Sequence, residues 1–292
     1  MEKRKFVIIT DSSTDMPEEY YEAHQLDCVR LGFTLKDENY EGENGRRITP
    51  KDFYALMRGG AMPTTYQVAS EIAKIHIEEH LKRGEDVLVI AFSSGLSGTA
   101  SSFFVAARDL KAEYPERKIE VVDSLCASMG EGLLLDYVVK KADEGATIEE
   151  TKAYAEDLKL HICHEFTVDD LFHLKRGGRV SGATAIVGSV LKIKPIMHVN
   201  KEGKLIAIGK VMGRKKSISG IFENMQKAAV FEAGEPIFIS HGDCIEDAET
   251  LKAMIERVYP ENPVTIHYVG AVIGTHSGVG TLALFYRGSS RE

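Results

Sequence analysis

The segment Val87-Leu-Val-Ile-Ala-Phe-Ser-Ser-Gly-Leu-Ser-Gly-Thr99 decides the fold of this chain. Its branched, apolar first half predicts a buried strand, and Ala100–Lys111 reads as the helix that follows. A strand, a Gly/Ser loop and a helix start in this order place backbone N–H groups and the positive end of a helix dipole around one point. The hydroxyls of Ser94, Ser97 and Thr99 add donors there. The loop therefore suits an anion better than a metal, although an ordinary turn with a serine cap explains the same residues.

Strands and helices alternate on both sides of this segment. Phe6–Thr10 and Cys28–Leu35 read as strands before it, and Ile119–Val122 reads as a strand after it. Thr49-Pro50 has the composition of a helix cap followed by a first helical residue. This alternation predicts a parallel sheet with helices packed on it. The pattern then changes at Thr147-Ile-Glu-Glu150, which fits a capping box that opens another helix.

The second half of the chain has a different strand arrangement. Pro195–Val199 and Leu205–Val211 are separated by Asn200-Lys-Glu-Gly203, which predicts a hairpin. We expect further strands at Pro236–Ser240, Val264–Tyr268 and Thr281–Tyr286. The sequence therefore predicts two α/β domains, residues 1–150 and residues 151–292, of which the second has a mixed sheet.

Composition limits the classes of function. The 292 residues are 43% hydrophobic and 27% charged, with a formal net charge of −8. This acidity argues against a protein that binds nucleic acid. No window has the length of a transmembrane helix, and the first residues read as a strand rather than a signal peptide. The four cysteines (Cys28, Cys126, Cys163 and Cys244) lack metal-type spacing, so we expect reduced thiols in a cytoplasmic protein without a metal.

Two more loops share the hydroxyl-rich, carboxylate-free character of the first. They are Pro63-Thr-Thr-Tyr-Gln67 and Gly274-Thr-His-Ser-Gly-Val-Gly280, and the second carries a single imidazole. Each loop alone is compatible with a structural turn. Three such loops in an acidic chain together indicate a hydroxyl-lined pocket for an anionic head group.

Other catalytic and metal motifs are weak. Gly95-Leu-Ser-Gly-Thr99 resembles a nucleophile elbow but lacks the closing glycine, and no P-loop or dinucleotide fingerprint is present. His76 and His80 have a metal-compatible spacing on a predicted helix, but their charged neighbours favour a solvated face. Asp11 and Asp15 are compatible with acid–base groups, and we favour helix caps.

Two basic segments, Arg176-Gly-Gly-Arg179 and Gly213-Arg-Lys-Lys-Ser217, stand out in the acidic sequence. The second one opens a predicted helix, where cations face the unfavourable end of the dipole. A phosphate or an acidic partner explains these cations, and so does a solvated surface.

The motifs taken together resemble the DegV family, which includes the fatty-acid-binding subunits of bacterial fatty acid kinase. The resemblance spans nearly the whole chain and rests on seven segments, namely Asp11–Asp15, Pro63–Gln67, Ser93–Thr99, Leu174–Ser181, Leu191–Ile196, Gly213–Lys216 and Gly274–Gly278. It implies two α/β domains that hold a lipid between them, and a carrier rather than an enzyme.

By motif position, the resemblance implies that Thr65 and Ser97 bind the carboxylate of a long-chain fatty acid. Ser94 of the same loop is a further candidate for this role. His276 and Arg179 are expected near the carboxylate. The fatty acid is the expected ligand, and we expect no cofactor.

The resemblance also implies a protein partner. A separate kinase subunit of the dihydroxyacetone-kinase type would phosphorylate the bound carboxylate to an acyl phosphate. Arg214, Lys215 and Lys216 correspond to the basic surface that meets this subunit, and their side chains are expected to reach into solvent. The same role allows a transient membrane contact.

The sequence departs from the family pattern at several positions. Tyr66 replaces a serine, Val68 and Val279 replace prolines, and Thr99-Ala-Ser stands where Thr-Tyr-Gln is usual. These changes affect the expected acyl-chain selectivity. The apolar stretch Ala183–Leu191 is expected to wall an acyl tunnel.

Two alternatives to the carrier remain open at this point. One is a serine esterase or acyltransferase that uses Ser97 and His276, and the other is a regulatory lipid sensor. A nucleophile requires a base within hydrogen-bond reach and usually an orienting acid. None of the three loops supplies that acid, which favours the carrier.

Overall fold

The computed structural model describes residues 4–169, 171–181 and 193–291. The stretch Ala183–Leu191, expected to wall an acyl tunnel, lies outside the described residues. The described residues form fourteen β-strands, which are β1 (Phe6–Asp11), β2 (Asp27–Val29), β3 (Gly32–Leu35), β4 (Glu38–Glu41), β5 (Thr64–Tyr66), β6 (Asp86–Ala91), β7 (Ile119–Asp123), β8 (Ile162–Thr167), β9 (Val180–Ser181), β10 (Ile193–Val199), β11 (Leu205–Met212), β12 (Ile237–His241), β13 (Val264–Tyr268) and β14 (Leu282–Arg287).

Helices connect most of these strands. In the described part of the chain they are α1 (Glu18–Ala23), α2 (Pro50–Arg58), α3 (Ser70–Lys82), α4 (Thr99–Glu113), α5 (Met129–Asp143), α6 (Ile148–Leu158), α7 (Phe172–Arg176), α8 (Arg214–Ala228), α9 (Ile245–Val258) and α10 (Ala271–Ser277). Thr49 caps α2 with Pro50 at the first turn, and Thr147 and Glu150 form the predicted capping box at α6. Both helix starts confirm the sequence signals.

The first half contains the predicted parallel sheet, with the strand order β2-β1-β6-β7. Val87, Leu88, Val89 and Ile90 of β6 are fully buried because helices cover both faces of this sheet. The predicted strand Cys28–Leu35 is in fact two strands. β2 ends at Val29, and β3 begins at Gly32 in a separate antiparallel sheet of order β4-β3-β5.

The second half contains the predicted mixed sheet. Its strand order over the described residues is β13-β12-β14-β8-β10-β11-β9. β10 and β11 form the predicted antiparallel hairpin, whose turn places Gly203 at φ +70° and is closed by hydrogen bonds to Asn200 Oδ1. The fold class expected from the sequence is therefore confirmed.

A common core joins the two sheets. One hydrophobic cluster contains Leu88 of the parallel sheet, Leu133 of α5, and Phe166 and Phe238 of the mixed sheet. Helix α5 contacts β12, β14 and β8. Phe92 and Ala127, which follow β6 and β7, lie with Val199 and Ala283 of the mixed sheet around one cavity, so the carboxyl edge of the parallel sheet faces the mixed sheet. The division at residue 150 stays a prediction, because this core extends across it.

Candidate functional site

A cavity of about 330 Å³ lies where the carboxyl edge of the parallel sheet meets the mixed sheet. This volume falls within the range of roughly 300–1,000 Å³ typical of small-molecule sites. Most of the described residues that line it are apolar, namely Leu31, Phe92, Leu96, Ala127, Phe166, Leu174, Val199, Leu205, Val269, Val272, Ile273, Ala283 and Phe285.

Strand β14 and Thr281, the residue directly before it, form part of the cavity wall. Thr281, Ala283 and Phe285 line the cavity, whereas Leu282 and Leu284 belong to the core on the opposite face of the sheet. This division follows from the period of two along a strand. Register with the neighbouring strands brings Ser240 and Phe166 beside Ala283.

Four of the predicted site residues come together at the mouth of this cavity. Thr65 belongs to β5, Ser97 to the loop before α4, Arg179 to the segment after α7, and His276 to α10. Thr65 Oγ1 and His276 Nε2 are 2.8 Å apart. We name this group of Thr65, Ser97, Arg179 and His276 the mouth cluster.

The imidazole of the mouth cluster is neutral at pH 7. Burial lowers the pKa of His276 to about 4, and the positive charges of Arg179 and Arg176 add to this effect. Its Nδ1 atom is buried and has no hydrogen-bond partner among the described residues. A neutral imidazole that is paired at Nε2 can therefore serve as a hydrogen-bonding group without a fixed charge.

Ser97 serves both the cavity and the start of α4. Its hydroxyl lies 3.0 Å from Thr99 Oγ1 and accepts a hydrogen bond of 3.3 Å from the Thr99 N–H. Ser97 therefore does support the start of α4, as the alternative interpretation of an ordinary capped turn predicts. Ser97 nevertheless lines the cavity next to the N-terminal end of α4, where an anion is favoured.

Ser94 is separate from this group. It is exposed, its N–H donates to Asp123 Oδ1 at 3.1 Å, and the described lining of the cavity does not include it. We therefore leave Ser94 out of the proposed carboxylate site. The sequence signal does not separate it from Ser97, because both are serines of one loop.

Two neighbouring residues position the mouth cluster and were missed from the sequence as site residues. Arg176 donates to the carbonyl oxygens of Pro63 and Thr275, at 3.1 and 3.3 Å, and so ties the Thr65 loop to α10. A Cβ atom at Gly177 would lie 2.1 Å from His276 Nδ1. Glycine at this position allows the end of α7 to pack against the imidazole.

The basic turn at the start of α8 differs from its expected form. Arg214 does not extend freely into solvent, because Nε pairs with Asp247 Oδ2 at 2.8 Å and Nη1 lies 3.8 Å from Asp169 Oδ1. These internal carboxylates explain the cation at an unfavourable helix end. Lys215 and Lys216 are exposed, as expected.

The interpretation of His76 and His80 as a solvated face is wrong. Both imidazoles are largely buried and pair with Asp27, at 2.9 Å from His76 Nδ1 and 3.3 Å from His80 Nε2. Within residues 4–169, 171–181 and 193–291, no group of three or more His, Cys, Asp or Glu side chains is arranged to hold a metal ion.

The two aspartates after β1 also differ from each other. Asp11 accepts from the Ser13 N–H and caps the short 3₁₀ helix Ser12–Thr14, as expected. Asp15 is not the N-cap residue of any helix in the described ranges, although its carboxylate accepts a backbone hydrogen bond at Gly270, directly before α10. Asp15 follows the 3₁₀ helix with φ 53°, and its Oδ2 accepts from Ser128 Oγ at 2.5 Å.

A second polar group borders the cavity and was missed from the sequence. Ser128 Oγ also lies 3.0 Å from Ser240 Oγ, and Ser128, Ser240 and Ser277 all line the cavity. We name Asp15, Ser128, Ser240 and Ser277 the interior cluster. Burial raises the pKa of Asp15 to about 7. A signal was available in Ser124-Leu-Cys-Ala-Ser128, because this loop leaves β7 at the same sheet edge as the Ser97 loop leaves β6.

Two departures from the family pattern have local explanations. Tyr66 lies across Gly32 and Gly42, where an added Cβ atom would lie 2.2 and 2.7 Å from its hydroxyl oxygen, so a larger residue at either position would displace the ring from this place. The backbone N–H of Val68 donates to Thr99 Oγ1 at 3.4 Å. A proline at this position has no N–H and could not form this hydrogen bond. Both residues support the Thr65 and Ser97 segments.

The geometry does not form the dyad that an esterase requires. His276 pairs with Thr65, while the Ser97 hydroxyl pairs with Thr99. No carboxylate of the described residues bonds to His276 Nδ1 to orient the ring. A nucleophile without a paired base and an orienting acid is not activated.

These features define an α/β protein with two principal sheets, parallel and mixed, and an apolar cavity between them that opens at a polar mouth. The family model described as an uncharacterised protein of the DegV family matches residues 5–288. The chain belongs to the DegV family, which confirms the resemblance found in the sequence.

Relatives cover the whole length of the chain. A DegV domain-containing protein of Clostridium perfringens is 42% identical over 289 residues, which are 99% of each chain. A fatty-acid-binding DegV family protein from Thermus thermophilus has a TM-score of 0.87 at 29% identity, over 98% of this chain and 100% of that one. DegV of Bacillus subtilis, a fatty acid binding protein, has a TM-score of 0.83 at 30% identity with the same coverage.

None of the helices in the described residues is both long and apolar enough to span a bilayer.

Proposed function

We propose that this protein binds one long-chain fatty acid and presents its carboxylate to a separate kinase subunit, which forms the acyl phosphate. The observation that carries the proposal is the mouth cluster at the opening of an apolar cavity. The fatty-acid-binding relatives of the same fold support it.

The chemistry of the mouth cluster suits a carboxylate that must later react. Thr65, Ser97 and the neutral His276 are hydrogen-bonding groups without a charge, and Arg179 supplies the positive field. The guanidinium of Arg179 is itself engaged by the Leu96 carbonyl, at 3.2 Å from Nε. The carboxylate is therefore attracted to the mouth, and no residue of the described chain forms a bidentate clamp over the oxygens that would accept a phosphoryl group.

The apolar part of the cavity suits the acyl chain. Burial of roughly fourteen methylenes at about 0.8 kcal/mol each contributes on the order of 11 kcal/mol before ordering costs. Most of the affinity then comes from the chain, and the mouth cluster sets its orientation. Because the buried acyl chain supplies most of the affinity, we expect the fatty acid to dissociate slowly, as a carrier requires.

The position of the mouth suits delivery to a partner. Arg179 is exposed at the opening, so a docked kinase could reach the carboxylate without unfolding the carrier. We assign the docking charge to Lys215 and Lys216, which are exposed, and we assign Arg214 to the support of the surface beneath them through Asp247.

Native and denaturing mass spectrometry of freshly purified protein test the proposal. We expect a native mass that exceeds the denatured mass by one fatty acid. Protein that neither carries nor takes up palmitic or oleic acid would refute the carrier. An acyl adduct that survives denaturation would instead identify the covalent esterase.

A further inference from the structure

Ser277 is a buried hydroxyl with no partner in the described residues. The residue is 6% exposed, its Oγ atom is fully buried, and it lines the cavity next to His276. An unpaired hydroxyl in an apolar cavity is unfavourable, because it has lost its water and gained no hydrogen bond. A ligand made only of methylenes does not correct this.

Ser240 is a second hydroxyl with an unused hydrogen-bonding position. Ser128 Oγ has one proton and donates it to Asp15 Oδ2 when that carboxylate is ionised. Ser240 then donates its own proton to Ser128 Oγ, 3.0 Å away. In this state Ser240 Oγ remains on the cavity wall as an acceptor.

Protonation of Asp15 reverses the chain of hydrogen bonds. The carboxyl group then donates to Ser128, Ser128 donates to Ser240, and Ser240 directs its proton into the cavity. The Oδ1 atom of Asp15 lies against Gly270, so the reversal involves only Oδ2 and the two serines. The position that Ser240 offers is thus an acceptor in one state and a donor in the other.

We propose that this cavity prefers an acyl chain that carries a hydroxyl group within the chain. A hydroxyl both donates and accepts, so it pairs with Ser240 in either state, and Ser277 offers a second hydroxyl on the lining of the same cavity. A keto or ether oxygen only accepts and fits one state of Ser240. The inference rests on the proposed function and specifies its substrate class as hydroxy fatty acids.

Competition measured by native mass spectrometry tests this preference. Delipidated protein is mixed with stearic acid and one hydroxystearic acid at equal concentration, over a panel of hydroxyl positions along the chain. We expect at least one isomer to be preferred over stearic acid by about tenfold, the effect of one or two buried hydrogen bonds. Ser240→Ala and Ser277→Ala should each reduce that preference severalfold and still bind stearic acid, which shows that they fold.

Ser94→Ala is the matched control, because this serine is exposed and outside the cavity lining; it should keep the full preference. The inference would be overturned if stearic acid bound as tightly as every hydroxystearic isomer, or if the preference survived both cavity substitutions. Either result would leave the proposed carrier function unaffected. Protein that binds none of these acids would overturn the proposed function as well.

Discussion

The mouth cluster and the interior cluster lie at the same cavity, and burial shifts the pKa values of their titratable groups in opposite directions. At the mouth, burial lowers the pKa of a base, His276, to about 4. In the interior, burial raises the pKa of an acid, Asp15, to about 7. Both shifts follow from the cost of a charge in an apolar environment. Burial therefore disfavours a charge at both clusters, and among the described lining residues Arg179 at the rim supplies the positive field.

The largest expected effect comes from removal of the mouth hydroxyls. Thr65→Ala and Ser97→Ala each delete a hydrogen bond to a charged carboxylate, worth roughly 1.5–3 kcal/mol, so the affinity for palmitate should fall roughly tenfold to a hundredfold. Isothermal titration with delipidated protein measures the effect, and Ser94→Ala is the control. Unchanged affinity in both variants would place the carboxylate elsewhere.

Asp15→Asn tests the interior cluster. A raised pKa means that the acid favours the folded state when it is protonated, and that this stability is lost as the pH rises from about 4 through about 7. Asparagine keeps the neutral state, and the φ of 53° suits it. We expect the variant to gain on the order of 2 kcal/mol at pH 8 and much less at pH 5.

Urea unfolding at both pH values measures this gain. A loss of stability at pH 8 in Asp15→Asn would mean that the ionised carboxylate is needed in the interior.

A smaller effect is expected at the start of α8. Arg214→Ala breaks the pairs with Asp247 and Asp169 and should lower the free energy of unfolding by about 1 kcal/mol. The double variant with alanine at Lys215 and Lys216 should keep its stability. With the kinase subunit, this double variant should form acyl phosphate more slowly than the unsubstituted protein, and the difference between their rates should shrink at high salt. A stable, fully active Arg214→Ala protein would contradict the supporting role of the arginine.

The smallest expected signal is the titration of His276. Its lowered pKa keeps the imidazole neutral at pH 7, and the stability that it contributes above about pH 6.5 is lost as the pH falls toward 4. The proton NMR resonance of this ring should therefore show no midpoint between pH 6 and 7. A midpoint near 6.5 would indicate a solvated ring and a looser mouth.

Much of the fold and the mouth could be predicted from the sequence. The β6–α4 segment and the capped starts of α2 and α6 carry local signals, and these were confirmed. Arg214 was misjudged because Asp247 lies on another helix, α9, and no local pattern connects them. His76 and His80 were misjudged for the same reason, since Asp27 approaches from β2.

The interior cluster shows the limit of sequence patterns most clearly. Ser128, Ser240 and Asp15 come from three distant segments, and only the packing of α5 and β12 against the turn after β1 brings them together. The sequence placed Asp15 in a motif and Ser128 at the same sheet edge as Ser97, but nothing in either segment indicated that they meet Ser240. Periodicity finds elements, and it does not find contacts between polar residues of different elements.

The orientation of the bound lipid distinguishes the two clusters, because both are polar enough to attract a carboxylate. A crystal structure of the protein loaded with palmitic acid decides between them. We expect carboxylate oxygens about 3 Å from Thr65 Oγ1 and Ser97 Oγ, with the acyl chain running toward Ser240. A carboxylate placed against Ser128 and Ser240, with the methyl end at His276, would contradict this expectation.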